Sequence, residues 1–169
     1  MTKKSDVINW AIANKLFFVL FLLMIFFAFI DYFQIRAFFK LDTTLGWELY
    51  HQYQQPTLIM LWIALIVLPV FVYWLFSRDL SESIGLLGAG LIMLFAGVED
   101  VFFFLFSPAQ MSNNMCWFND VNAPISFFSE LLGHECVHAL DLSIFAVSGV
   151  IIGYLFYIGM KKLEFKKWF

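Results

Sequence analysis

The sequence predicts an all-α fold, an integral membrane four-helix bundle with both termini cytoplasmic, and three observations carry that reading. Of the 169 residues, 62% are hydrophobic and 14% charged, and 23 are Phe. The mean hydropathy is +0.83. A soluble domain of this size has no interior large enough to hide so much apolar surface, whereas a polytopic membrane protein has lipid to face. Apolar runs long enough to cross the hydrocarbon layer recur at roughly 16–39, 47–76, 82–106 and 127–160, which makes one four-span domain of residues 1–169. The basic residues are unevenly spread. Lys3, Lys4, Arg78, Lys161, Lys162, Lys166 and Lys167 fall on one side of four spans, Arg36 and Lys40 on the other, and residues 107–126 contain none. The positive-inside rule therefore places the N and C termini in the cytoplasm.

The first span is apolar all round, as a lipid-facing helix should be, and its single interior acid is Asp31. No small-residue cleavage site follows it, so it stays as the first transmembrane helix. After a turn at Leu41-Asp42-Thr43-Thr44, the second span begins with Trp47-Glu48-Leu49-Tyr50-His51, and Pro56 and Pro69 should kink it. A tight connection, Ser77-Arg78-Asp79-Leu80-Ser81, leads into the third. That span carries Gly85, Gly88, Gly90 and Gly97, small residues that admit a close neighbour, and then Glu99 and Asp100. Residues 107–126, with Met111, Trp117 and Phe118, read as an interfacial loop with aromatic anchors. The fourth span holds Gly133-His134-Glu135-Cys136-Val137-His138-Ala139-Leu140-Asp141 early and Gly149-x-x-x-Gly153 late. Cys136 reads as a small apolar helix residue, with metal ligation or a disulfide to Cys116 as alternatives.

The ionisable groups of the fourth span decide the functional reading. A charged side chain in hydrocarbon costs about 2.5 kcal/mol or more, so such groups mark function. On a helix, His134 and His138 project from one face within reach of one ion, Glu135 and His138 can share an ion, and Asp141 extends the face by a turn. With both termini inside, Asp31, Glu48, His51, Glu99, Asp100 and this motif all fall in the outer-leaflet half. Asp31, Glu99, Asp100, Glu135 and Asp141 are carboxylates in need of a proton or a cation, and all three histidines of the chain sit with them. The expected metal ligands are therefore His134, His138, Glu135, Glu99, Asp100, His51, Glu48 and Asp31. Asp141 is expected behind a ligand imidazole as its hydrogen-bond partner.

In chain order the pattern is acid, Glu48-x-x-His51, acid, Glu135-x-x-His138. It resembles the ferritin-like dimetal carboxylate bundles, in which two helices each give a carboxylate and two each give Glu-x-x-His. The resemblance covers these positions only. It implies two iron ions and an oxidoreductase acting on a lipid-soluble substrate. The stretch His134-Glu135-x-x-His138 also looks like the zinc metalloprotease motif, which implies zinc on the two histidines, Glu135 as catalytic general base and an intramembrane zinc hydrolase, either protease or lipid amidase. A third reading is a non-catalytic subunit, haem-binding through His51 with His134 or His138, or proton-conducting. The partners expected are the lipid bilayer, a lipid-soluble substrate and possible subunits of a membrane complex, with no nucleic acid.

Overall fold

The computed structural model describes Trp10 and residues 12–39, 55–106, 115–116 and 124–163. Among them the chain is all-helical: α1 (Lys15–Phe39), α2 (Gln55–Ser77), α3 (Leu80–Phe95), α4 (Val98–Phe106), α5 (Pro124–Leu131) and α6 (Ala139–Lys162). An isolated antiparallel bridge joins Met115 to Val137.

Two stretches, Lys15–Phe33 of α1 and Ala139–Lys162, are long and apolar enough to cross a membrane. Helices α3 and α4 pass as a third if taken together, although they meet at a bend of 54°. The apolar part of α2, Ile63–Ser77, is shorter. Two or three such helices mark a membrane protein. Their outward faces agree, since Phe26, Leu68, Phe76, Leu105, Leu140 and Leu155 are all exposed.

The third apolar run is thus not one straight helix over 82–106. Ala96 caps α3, and Gly97 follows at φ +70°, a left-handed conformation that a side chain disfavours. The fourth run is also broken. Helix α5 closes on the Leu132 and Gly133 backbone, with Gly133 at φ +82°, and α6 begins only at Ala139.

Helix α3 packs antiparallel to α6. Gly153 lies against the Ala89 backbone, and a Cβ added at Gly149 would overlap that of Ala96. This close approach is what the small residues provide. Helix α4 runs beside α1, with ring contacts Phe21 to Phe102, Tyr32 to Phe103 and Phe29 to Phe106. Two apolar cores result. One, around Phe17, Met24, Phe27, Ile66, Met93 and Tyr157, joins α1, α2, α3 and α6. The other, around Ala28, Phe103, Phe104, Met115, Ile125, Val137 and Leu142, joins the far end of α1 to α4, α5 and the start of α6.

Each end is closed by a buried carboxylate. At the end where α1 starts and α6 finishes, Glu82 accepts hydrogen bonds from Tyr73 at 2.5 Å, Tyr157 at 2.6 Å and the Lys161 ammonium at 2.8 Å. Lys161 also donates to the Ala13 carbonyl at 2.8 Å. One acid thereby ties α2, α3 and α6 together, and its lysine reaches the approach to α1. At the opposite end the corresponding acid is Asp141.

Candidate metal centre

The histidine motif does not lie on a helix face. Residues 132–138 form a loop between α5 and α6, and His138 is the N-cap of α6 at φ −97°, ψ 155°. The expected i, i+4 helical presentation of His134 and His138, and with it the helical Glu135-x-x-His138, is therefore corrected. Three local features hold the loop open: left-handed Gly133, the hydrogen bond from Met115 N to Val137 O at 2.9 Å, and a disulfide between Cys116 and Cys136 with a Cα separation of 4.5 Å. Cys136 is thus half of a covalent staple rather than an apolar helix residue.

The loop nevertheless brings the two imidazoles together. Their rings stack at 4.0 Å between centroids and 22° between planes. Asp141, in the first turn of α6 and 1% exposed, organises them. Its Oδ2 accepts from Ser129 Oγ at 2.9 Å and from the His138 backbone N–H at 3.1 Å, and it stands 2.8 Å from His134 Nδ1. The N–H of a helix N-cap lacks an intrahelical partner, so a carboxylate three residues on is favoured there by both hydrogen bond and dipole. With Nδ1 as the donor, Nε2 of His134 is the atom presented to an ion. A carboxylate behind a ligand imidazole fixes ring orientation and makes the ligand more basic.

Among the described residues, His134, His138 and Asp141 are the group whose donor atoms converge, all within 4.8 Å of one another. Ligand nitrogens on a tetrahedral zinc stand about 3.4 Å apart, as bond lengths of about 2.1 Å require, so the half-exposed loop has to draw its donors closer to hold an ion. The donor set fits a divalent ion of the zinc or iron type, and the group can hold a metal.

The other expected ligands fall elsewhere. Glu135 is exposed on the loop and is not one of the converging three. Glu99 and Asp31 are 2% and 5% exposed and Asp100 is half-buried. These three lie within electrostatic range of one another, where α4 packs on α1. Asp100 also lies beside Gly97, its Oδ2 3.1 Å from where a Cβ would stand, and Glu99 Oε1 has no hydrogen-bond partner among the described residues. They form a separate acidic cluster beside the break between α3 and α4. Glu48 and His51 lie outside the described residues.

Sequence reasoning passed over Ser129, which anchors Asp141 from α5, and Glu82, which anchors the other end. For Glu82 a signal was present. Asp79-x-x-Glu82 has helix-start spacing, and the Asp79 side chain does accept from the Glu82 N–H at 2.9 Å. Compared with known proteins, the chain matches no family model, no curated protein and no solved structure.

Proposed function

We propose that this protein is a four-span, membrane-embedded metal-dependent enzyme. It holds a single zinc-type ion in the α5–α6 loop and hydrolyses an ester or amide of a lipid-soluble substrate at the outer face of the membrane. The observation that carries the reading is the Asp141 network, which holds the His134 imidazole and the His138 backbone at a helix start, with the two imidazoles stacked. In this reading His134 Nε2 and His138 bind the ion, Asp141 stays behind His134, and the remaining positions are open to water and substrate. An open position is what separates a catalytic zinc from a structural one. The ion would supply Lewis acidity and an acidified water, and Glu135, exposed on the same loop, is the candidate base for that water's proton.

One ion is preferred to two because a dimetal carboxylate centre takes about four carboxylates and two histidines around the same pair of ions. Here the acids of α1 and α4 keep to a cluster of their own. The orientation rests on two independent cues. Disulfides persist in oxidising compartments, and Cys116–Cys136 lies at the metal end. Arg78, Lys161 and Lys162 lie at the opposite end, where the positive-inside rule puts the cytoplasm and, with it, both termini.

Elemental analysis of detergent-purified protein tests the reading. The expected result is about one zinc per chain, lost in His138→Ala. About two irons per chain would return the assignment to the dimetal oxidoreductase. Absence of metal from protein purified without chelator would refute both and favour a proton-linked or structural component.

A further inference from the structure

We propose that the same loop contains a second, closed metal site that exists only when the disulfide is open: a tetrahedral zinc bound by Cys116, Cys136, His134 and His138. The inference shares two ligands with the functional reading above and deepens it, since it makes thiol status the control on whether the ion keeps open positions.

The four residues lie on one short loop and on the segment stapled to it. Cys136 lies two residues from each histidine, so its Cα is within about 7 Å of both. The histidine rings are 4.0 Å apart, and Cys116 is held against Cys136 at a Cα separation of 4.5 Å. Two thiolate sulfurs on one tetrahedral zinc stand about 3.8 Å apart, given bonds of about 2.3 Å, so a small side-chain rotation after the S–S bond breaks brings them to ligand spacing. The Met115–Val137 bridge ties the two cysteine-bearing segments through the backbone, next to both sulfurs, and keeps them adjacent without the covalent link. Asp141 stays on His134 Nδ1 throughout, leaving Nε2 for the metal.

The chemistry balances with a dithiol as the reductant. Its two thiols pass two electrons and two protons to the Cys116–Cys136 bond, giving two cysteine thiols and a cyclic disulfide. Zinc then binds the two sulfurs and two imidazole nitrogens and releases the two thiol protons to solvent. Four protein donors leave no position for water or substrate, so the reduced protein binds zinc more tightly and loses the open site. Oxidation removes both sulfurs from the ion and reopens it.

Cobalt titration of the full-length protein in detergent distinguishes the two states, because thiolate ligation gives an intense near-ultraviolet charge-transfer band that imidazole and carboxylate do not. The expected result is that band in dithiol-treated protein and its absence in the oxidised protein. It should be weakened in Cys116→Ser and lost in His134→Ala/His138→Ala. Zinc should bind at least tenfold more tightly after reduction. Reduced protein whose two thiols are confirmed free by alkylation but which shows no such band overturns the inference, as does equal zinc affinity in both forms. Failure of the functional reading looks different: the oxidised protein would bind neither ion while the reduced protein still gave the band.

Discussion

Replacing Asp141 tests the site and the fold together. In Asp141→Ala the single oxygen that collects Ser129, His134 and the His138 N–H is gone. Ser129 is 1% exposed, so its hydroxyl is left without a partner in a dry setting, at about 1–2 kcal/mol. Loss of the N-terminal acceptor of α6 adds about 1 kcal/mol. The His134 contact is discounted to about 0.5 kcal/mol or less, because that side chain is 33% exposed and water replaces part of the interaction. The total is about 3 kcal/mol. At about 2–4 °C per kcal/mol for a chain of this length, thermal unfolding in detergent should begin about 6–12 °C lower than in wild type. Asp141→Asn separates orientation from stability. It keeps the shape and an acceptor for the His138 N–H, so its unfolding should shift by about a third as much. It loses the charge behind His134, and zinc affinity should still fall about 10- to 100-fold. Wild-type unfolding in Asp141→Ala would refute the network as a structural element, and wild-type zinc affinity in Asp141→Asn would refute the orienting role.

Three further outcomes are expected. In zinc-free buffer, Cys116→Ser/Cys136→Ser removes a cross-link between residues 20 apart, which should cost about 3 kcal/mol and be read as a lower melting point and faster amide exchange in 132–138. Glu82→Ala leaves buried Tyr157 and the Lys161 ammonium without their acceptor; since Lys161 is 39% exposed, the cost is set at about 2–3 kcal/mol, well below that of a fully buried pair, and restoring the carboxylate as Asp should recover only part of it. Gly149→Val places a branched side chain where even a Cβ overlaps Ala96, and separating α3 from α6 should lower detergent stability by about 2–3 kcal/mol, whereas Gly159→Val, with open space around it, should leave stability near wild type.

What the sequence makes legible here follows from which physics is local. Helices α1 and α6 could be read because a long apolar run needs no partner to declare itself. The grouping of His134, His138 and Asp141 could be read as well, because they are near neighbours in the chain. Their geometry could not be read from periodicity. The i, i+4 pattern assumes a helix already formed at His134, whereas the helix starts after His138, with Asp141 three residues on at the spacing of a capping acid. A histidine in the N-cap place hides that signature, which is usually recognised from Ser, Thr, Asp or Asn. The disulfide was legible only as one alternative for Cys136, since two cysteines 20 residues apart do not declare their pairing until Met115 and Val137 bring their segments side by side. The acids Glu99, Asp100 and Asp31 stand out in the sequence as carboxylates inside apolar segments. That they form their own cluster depends on Gly97, whose left-handed turn directs α4 along α1.

The two ends of the molecule solve one problem in two ways, and the difference indicates where chemistry belongs. Glu82 and Asp141 are both buried carboxylates in the first turn of a helix, and both gather donors from several elements. Glu82 is matched by Lys161, a permanent cation whose ammonium has no lone pair to offer a metal, so that end is electrostatically complete and acts as a clasp. Asp141 is matched by an imidazole, which as the neutral tautomer donates one N–H to the carboxylate and keeps a lone pair on the other nitrogen. The same hydrogen bond that caps α6 therefore leaves a ligand atom over. Tying His134 to Asp141 leaves the other ring nitrogen free as a donor, beside a second imidazole, at the end of the bundle away from Arg78, Lys161 and Lys162. Replacing His134 with Lys should consequently preserve much of the capping network while removing metal, a separation that replacement of Lys161 at the other end cannot produce.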